Sequence, residues 1–142
     1  MMNFYFPFAL VVGGGVLYHL AQKSIPQGMN PFFATICAYL IGIALCTICA
    51  VFYPAGKGFV ESAKESNWAV LALGFGVAAI ELGFLLAYRA GWRISIATIA
   101  ANVAMTAILI PVGVLVFRDQ LSVRNIVGLA FCILGLFLVI RD

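Results

Sequence analysis

Five long apolar runs make up most of this chain and constrain its fold more than any other feature. They span residues 4–21, 32–53, 68–88, 94–117 and 125–140. A helix that crosses a bilayer needs about 20 mostly apolar residues. Because the hydrocarbon core holds no water, each run has to satisfy its own backbone hydrogen bonds, which a helix does and an isolated strand does not. The runs predict five transmembrane helices, with the two termini on opposite sides of the bilayer.

The composition agrees with a membrane bundle. Of the 142 residues, 65% are hydrophobic and 9% are charged, and the mean hydropathy is +1.14, far outside the usage of soluble domains. The net charge of +3 is too small to indicate a nucleic-acid partner and is better explained by acidic lipid headgroups. We therefore expect an all-α, multi-pass protein of the inner (plasma) membrane, with residues 1–142 forming one domain.

The segments between the runs carry turn and cap signals. Residues 25–31 (IPQGMNP) predict a tight turn, and residues 57–66 form the only sizeable loop, which is long enough for a short surface helix. Ser66 or Asn67 can cap the third predicted helix. No basic stretch precedes the first run and no small-residue cleavage site follows it, so we expect it to remain as a membrane helix.

The basic residues leave the orientation in the membrane undecided, although they normally settle which loops stay in the cytoplasm. Five crossings place four basic residues on each side: Lys57, Lys64, Arg118 and Arg124 with the N-terminus, and Lys23, Arg89, Arg93 and Arg141 opposite. Either a partner, flanking acids or the N-terminus fixes one orientation, or the chain inserts both ways and two copies pair antiparallel. The second interpretation gives ten helices arranged as the inverted repeat on which many transporters are built.

The last three runs carry motifs in a recognisable order. The third is glycine-rich, the fourth has a proline in its middle and an acidic residue at its exit, and the fifth has two glycines seven residues apart. Their sequences are LALGFGVAAIELGFLLAYRAGWRIS, ATIAANVAMTAILIPVGVLVFRDQLS and VRNIVGLAFCILGLFLVI. In this order they resemble one repeat of the drug/metabolite transporter superfamily, an EamA-like unit of five helices.

The resemblance implies an assembly and a function. Familiar members of the family fuse two such repeats in one chain, so a single repeat implies a homodimer, with Gly128 and Gly135 at its seam. It also implies alternating-access transport of a small metabolite or drug-like solute. Two departures from the family are visible: Asp119 stands where the family usually has Glu at the exit of the fourth helix, and the chain has one repeat where familiar members have two. The small multidrug resistance branch, of four-helix antiparallel dimers, is a precedent for pairing, but the acid of its first helix is missing here, which argues against cation/proton antiport of that type.

Glu81 is an acid buried deep in a predicted membrane helix. It lies about three residues past the middle of the run 68–88, so about 5 Å from the bilayer midplane at 1.5 Å per residue. A carboxylate there costs several kcal/mol unless it is protonated, paired or facing water. We favour a coupling or substrate-binding role; the alternative is a neutral side chain that hydrogen-bonds a neighbouring helix.

A polar stripe marks the fourth predicted helix. Thr98, Asn102 and Thr106 recur every four residues and so share one face of an otherwise apolar element. Asn102 lies about eight residues into its helix, at a depth similar to that of Glu81, and we expect the two to line one cavity. The alternative is that the stripe forms hydrogen bonds between packed helices.

Three further residues are candidates for the same site. Tyr18 and His19 lie near the end of the first run, on the side of the membrane toward which Glu81 leans. An imidazole there can relay protons to a cavity, although an interfacial histidine is the commoner case. Trp92 lies at a predicted helix end, where aromatic rings prefer the headgroup region, and it can also line a cavity mouth.

Enzyme chemistry has little support in the sequence. All four cysteines fall within predicted helices, where they behave as small apolar residues, and the pair Cys46 and Cys49 has CxxC spacing without a second ligand pair. No nucleophile–base pair is visible either. We expect no enzymatic activity, no cofactor and no bound metal.

These observations favour a transporter protomer of five transmembrane helices that acts as an antiparallel homodimer on a small solute. Protons are the candidate coupling ion, because Glu81 is the acid placed inside the bilayer. The rival interpretation belongs to a different class: a membrane scaffold or accessory subunit, in which Glu81 only joins two helices.

Overall fold

A computed structural model describes residues 5–52, 56–118 and 122–140 of the chain. Every element in these ranges is an α-helix, and they contain no strand. The helices are α1 (Tyr5–Ser24), α2 (Pro31–Phe52), α3 (Phe59–Lys64), α4 (Trp68–Arg89), α5 (Ile94–Val116) and α6 (Val123–Ile140). The predicted helix ends at Phe4 and Tyr53, and the residues Asp119 and Arg141, lie outside the described residues.

Three helices, α2, α4 and α5, are long and apolar enough to cross a membrane. Only 6% of the most apolar stretch of each is buried within the chain, and large side chains such as Leu71, Phe75 and Leu109 are exposed. A helix of a soluble bundle has a polar face toward water, whereas these helices present apolar side chains outward. The structure therefore agrees with a membrane-embedded helical protein. Membrane crossing by α1 and α6 stays a prediction.

The first helix is longer than predicted. The sequence places its end at Ala21, whereas α1 continues to Ser24. The physical reason is that Gln22, which hydropathy assigns to a solvated turn, is buried with 5% of its surface exposed. The Ser24 hydroxyl donates back to the Leu20 carbonyl at 2.8 Å and leaves the last turn helical.

The helix starts follow the predicted local signals. The side chain of Asn67 caps α4 by accepting a hydrogen bond from the Ala69 amide at 2.9 Å, as predicted. Asn30 does the same for α2, where its side-chain oxygen accepts from the Phe32 amide at 2.9 Å. The short surface helix predicted in the loop 57–66 is α3.

The chain divides into two compact units, Met1–Ala90 and Gly91–Asp142. In the first unit α4 packs against both α1 and α2, and in the second unit α5 packs against α6. The two helices α1 and α2 therefore share α4 as their common neighbour. Polar side chains of α1 and α2 can therefore meet those of α4.

Gly91 supplies a backbone conformation that other residues resist. It follows α4 with φ at 97°, a region that costs an L-residue about 1–2 kcal/mol. An added Cβ would meet no atom within 4 Å, so the cost of a substitution comes from the backbone alone. We expect Gly91→Ala to lower the free energy of unfolding by about 1 kcal/mol, measured by denaturing-detergent titration of the purified protein.

The matched control is Gly28→Ala. Gly28 also lies in a turn with open space around it, but its φ is outside the restricted region, so this variant should unfold like the wild type. Equal losses of stability in Gly91→Ala and Gly28→Ala would contradict the conclusion that the cost at Gly91 comes from its positive φ.

Candidate functional site

A polar contact joins α1 to α4. Gln22 Nε2 donates to Glu81 Oε2 at 2.6 Å, and the same nitrogen lies 3.2 Å from the Glu81 carbonyl oxygen and 3.2 Å from the Tyr18 hydroxyl oxygen. A primary amide has two protons to donate, and here both are directed at Tyr18 and Glu81. Two residues predicted to belong to the site are thus brought together by a third.

This contact lies about two helical turns before the C-terminal end of α4. Glu81 precedes Arg89, the last residue of α4, by eight positions, which is about 12 Å along a helix. The Arg89 guanidinium donates to the carbonyl oxygens of Pro26 and Met29 in the turn between α1 and α2. That turn therefore lies level with the end of α4, and the Gln22–Glu81 contact lies deeper.

A cavity of about 110 Å³, here called the polar cavity, opens beside the contact between α1, α2 and α4. Tyr18, Gln22, Thr35 and Glu81 contribute the polar part of its lining. Gln22 and Thr35 are 5% and 7% exposed, and both Gln22 Oε1 and Thr35 Oγ1 lack a hydrogen-bond partner among the described residues. A buried polar atom without a partner costs about 1–3 kcal/mol, so these atoms favour an occupant that satisfies them.

A smaller cavity of about 50 Å³ lies toward the turn between α1 and α2. Lys23, Gln27 and Arg89 are among its lining residues, whereas Gln22, Ile25 and Leu85 line both this cavity and the polar cavity; the last three side chains therefore separate them. A short movement of these side chains would connect the polar cavity with the loop.

Farther along α2 and α4 lies a larger apolar groove of about 600 Å³. Small residues recur every four positions on this face of α2, a spacing typical of close helix packing, and Gly42, Cys46 and Ala50 line the groove. An added Cβ at Gly42 would meet no atom within 4 Å, so this stretch is open. Tyr39 also lines the groove, and its buried hydroxyl has no hydrogen-bond partner among the described residues.

His19 contacts a neighbouring aromatic cluster. Its Nδ1 atom lies 2.8 Å from the Tyr88 hydroxyl oxygen, and its ring meets the Phe84 ring edge to face with centroids 4.7 Å apart. Tyr88 is 4% exposed and anchors this cluster in the core. Of the predicted pair on α1, Tyr18 lies at the Glu81 contact and His19 at Tyr88. A proton relay from His19 to Glu81 stays a prediction.

The polar stripe on α5 is partly satisfied within its own helix. The Thr98 hydroxyl donates to the Ile94 carbonyl and the Thr106 hydroxyl to the Asn102 carbonyl, each at 2.7 Å. The Asn102 side chain is exposed. These residues belong to the second compact unit, and a cavity shared with Glu81 stays a prediction.

The remaining predicted residues lie at a turn and on α6. Trp92 lies between α4 and α5 and is 47% exposed. Gly128 and Gly135 lie on α6, where an added Cβ would meet no atom within 4 Å. The space beside both glycines is therefore open, and their role at a dimer seam stays a prediction.

Gln22 and Thr35 were not predicted from the sequence as members of this site. The predicted helix end at Ala21 puts Gln22 in a turn, although its spacing of four residues from Tyr18 marks a shared helix face. Thr35 and Tyr39 have the same spacing in the largely apolar α2. Polar residues four apart in an apolar helix were thus the usable signal.

Comparisons with protein-family models, with curated proteins and with solved structures give no match for this chain. The resemblance to an EamA-like repeat therefore rests on the order of the sequence motifs and stays a prediction.

Replacing Gln22 tests the contact with Glu81. We expect Gln22→Leu, which keeps the side-chain size, to lower the free energy of unfolding by about 1–3 kcal/mol, because Glu81 loses its amide donor inside the protein. Denaturing-detergent titration measures the change. Gln27→Leu is the matched control, since Gln27 is exposed in the turn, and equal effects in the two variants would contradict the importance of the contact.

Proposed function

We propose that the chain is the protomer of a membrane transporter that moves a small metabolite or drug-like solute by alternating access. The observation that carries this proposal is the position of Glu81: on a helix long and apolar enough to cross a membrane, beside a cavity with unpartnered buried oxygens. Ionisable residues inside membrane helices are costly and mark ion or substrate pathways more often than packing sites. The motif order quoted above supports the same class of protein.

In this proposal α1, α2, α4, α5 and α6 each cross the inner membrane, and two copies pair antiparallel. The even division of basic residues supports insertion in both orientations. The exposed apolar faces need lipid or a second chain to cover them. Open space beside Gly128 and Gly135 leaves room for a partner helix.

Glu81 is the proposed coupling residue, and protons are the proposed coupling ion. Its hydrogen bond from Gln22 stabilises the ionised form, while the low dielectric around it favours the neutral form. A carboxyl group placed between these two influences is suited to exchange a proton during a transport cycle. The same hydrogen bond also suits the rival scaffold function, so an experiment has to separate the two.

Transport by the purified protein in liposomes makes that separation. We expect the wild type to move at least one solute from a panel of small metabolites and drug-like compounds, at a rate that depends on an imposed pH gradient. Glu81→Gln should keep the fold and lose the dependence on the gradient, because it preserves shape and removes only the charge. Glu61→Gln, on the exposed helix α3, should behave like the wild type.

The scaffold function predicts the opposite pattern. Normal gradient-dependent transport in Glu81→Gln would show that Glu81 is not the coupling residue, and lost assembly in Glu81→Ala would then assign it to packing. No transport of any solute by folded wild-type protein would favour the scaffold.

Insertion in both orientations is tested by cysteine labelling. In a variant without the four native cysteines, single cysteines at positions 23 and 64 are labelled in intact cells with a membrane-impermeant reagent. We expect each position to be labelled partly from outside and partly only after the cells are opened, because the basic residues give no net bias. Labelling of each position from one side alone would contradict dual topology.

A further inference from the structure

The unpartnered groups that the structure describes in the polar cavity are two oxygens, the Gln22 amide oxygen, which only accepts hydrogen bonds, and the Thr35 hydroxyl, which accepts and donates. Gln22 Oε1 and Thr35 Oγ1 have no partner among the described residues, and the Glu81 carboxylate lies in the same lining. Both protons of the Gln22 amide are already directed at Tyr18 and Glu81. An occupant that satisfies Gln22 Oε1 and the Glu81 carboxylate therefore has to bring positive charge or hydrogen-bond donors.

The size of the cavity limits the occupant. Its volume is about 110 Å³, and one water molecule takes about 30 Å³. There is room for a small ion with two or three waters. Pockets that enclose a drug-sized solute are larger, about 300 Å³ or more.

Charge balance favours a cation. The described hydrogen bond to the Glu81 carboxylate comes from a neutral amide. Lys23 Nζ on α1 lies 3.4 Å from the Tyr88 carbonyl oxygen and over the Tyr88 ring, and Arg89 contacts the carbonyls of the α1–α2 turn. An ionised Glu81 therefore leaves a negative charge that an occupant of the polar cavity can balance.

We propose that the polar cavity binds one small monovalent metal cation, for which sodium is the probe, and that the cation and a proton on Glu81 exclude each other. Amide, hydroxyl and carboxylate oxygens are ligands that hard cations prefer. The described residues contain no group of three or more His, Cys, Asp or Glu side chains that would suit a transition metal. As a coupling step the cation rests on the proposed transport function; as a bound ligand it does not.

The Gln22 amide explains why protonation empties the site. With Glu81 ionised, Nε2 donates to the carboxylate and Oε1 remains as an acceptor for the cation. When Glu81 takes up a proton, its carboxyl group becomes a hydrogen-bond donor. The Gln22 side-chain amide then rotates by half a turn, so that Oε1 accepts from Glu81 and the NH₂ group faces the cavity. That arrangement removes the negative charge and one cation ligand together.

Other titratable and charged groups surround Glu81 on all three helices. The Tyr18 and Tyr39 phenols lie within electrostatic range of the carboxylate. The remaining groups on the faces packed here are His19 and Lys23 on α1 and Tyr88 and Arg89 on α4. Since His19 is hydrogen-bonded to Tyr88 and Glu81 lies in the cavity lining itself, the competition between proton and cation is assigned to Glu81.

Equilibrium binding of radioactive sodium to the purified full chain in mild detergent tests the proposal. At mildly alkaline pH we expect saturable binding of one ion per protomer. The apparent Kd for sodium should rise about tenfold for each unit by which the pH is lowered, once protonation of Glu81 competes with the cation. Potassium should displace the radioactive sodium in proportion to the affinity of the site for potassium. Choline is a bulky cation and should not displace sodium.

Two substitutions at one position separate ligation from folding. Thr35→Val removes a ligand oxygen and should raise the apparent Kd about 10- to 100-fold, whereas Thr35→Ser keeps the hydroxyl and should bind like the wild type. Thr47→Val is the control on the same helix, because Thr47 lies outside the polar cavity and donates to the Ile43 carbonyl. Glu81→Gln should abolish binding.

Several results would overturn the proposal. They are no saturable sodium binding by folded wild-type protein, binding that choline displaces, and binding that is unchanged in Glu81→Gln or in Thr35→Val. Sodium binding without solute transport in liposomes would keep the site and contradict the proposed transport function. Solute transport without sodium binding would keep the proposed transport function and contradict the cation site.

Discussion

A carboxylate inside a bilayer has to be protonated, hydrogen-bonded or hydrated, since leaving it ionised and alone costs several kcal/mol. Glu81 meets this requirement through Gln22, whose amide reaches it across the contact between α1 and α4 at 2.6 Å. The same amide also holds Tyr18, while α2 closes the space with Thr35. Residues of all three helices thus surround this one acid.

Two kinds of polar residue on the apolar helices differ in how their hydrogen bonds are satisfied. Thr47, Thr98 and Thr106 return their hydroxyl protons to carbonyls of their own helices, so they place no demand on a neighbour. Gln22 and Thr35 are buried and keep an unsatisfied oxygen each. Unsatisfied buried oxygens are costly, and proteins retain them where a ligand or water completes the bonding. This contrast places the candidate site in the first compact unit.

The sequence predicts the helices and one central residue of the site, because those follow from local composition. Apolar runs, the Asn67 cap and the position of Glu81 within an apolar helix can all be read along the chain. The partner of Glu81 cannot, since Gln22 is 59 residues away in sequence and their meeting depends on the rotation of α1 about its axis. Tyr18 and His19 illustrate the same limit: adjacent in sequence, both meet the Phe84 ring, yet the Tyr18 hydroxyl accepts from Gln22 whereas His19 hydrogen-bonds the Tyr88 hydroxyl. Hydropathy along the chain predicts how deep a residue lies in the membrane, but it does not predict which neighbouring helix its side chain faces.

The central claim is that Glu81 exchanges a proton when the polar cavity is filled or emptied. Infrared difference spectroscopy tests it directly, with the protein in lipid bilayers and sodium exchanged for choline at constant pH. We expect sodium to remove the band of a protonated carboxyl group and to add the bands of a carboxylate, and we expect both changes to be absent in Glu81→Gln. A wild-type spectrum without carboxyl bands, or one that is unchanged in Glu81→Gln, would contradict the claim.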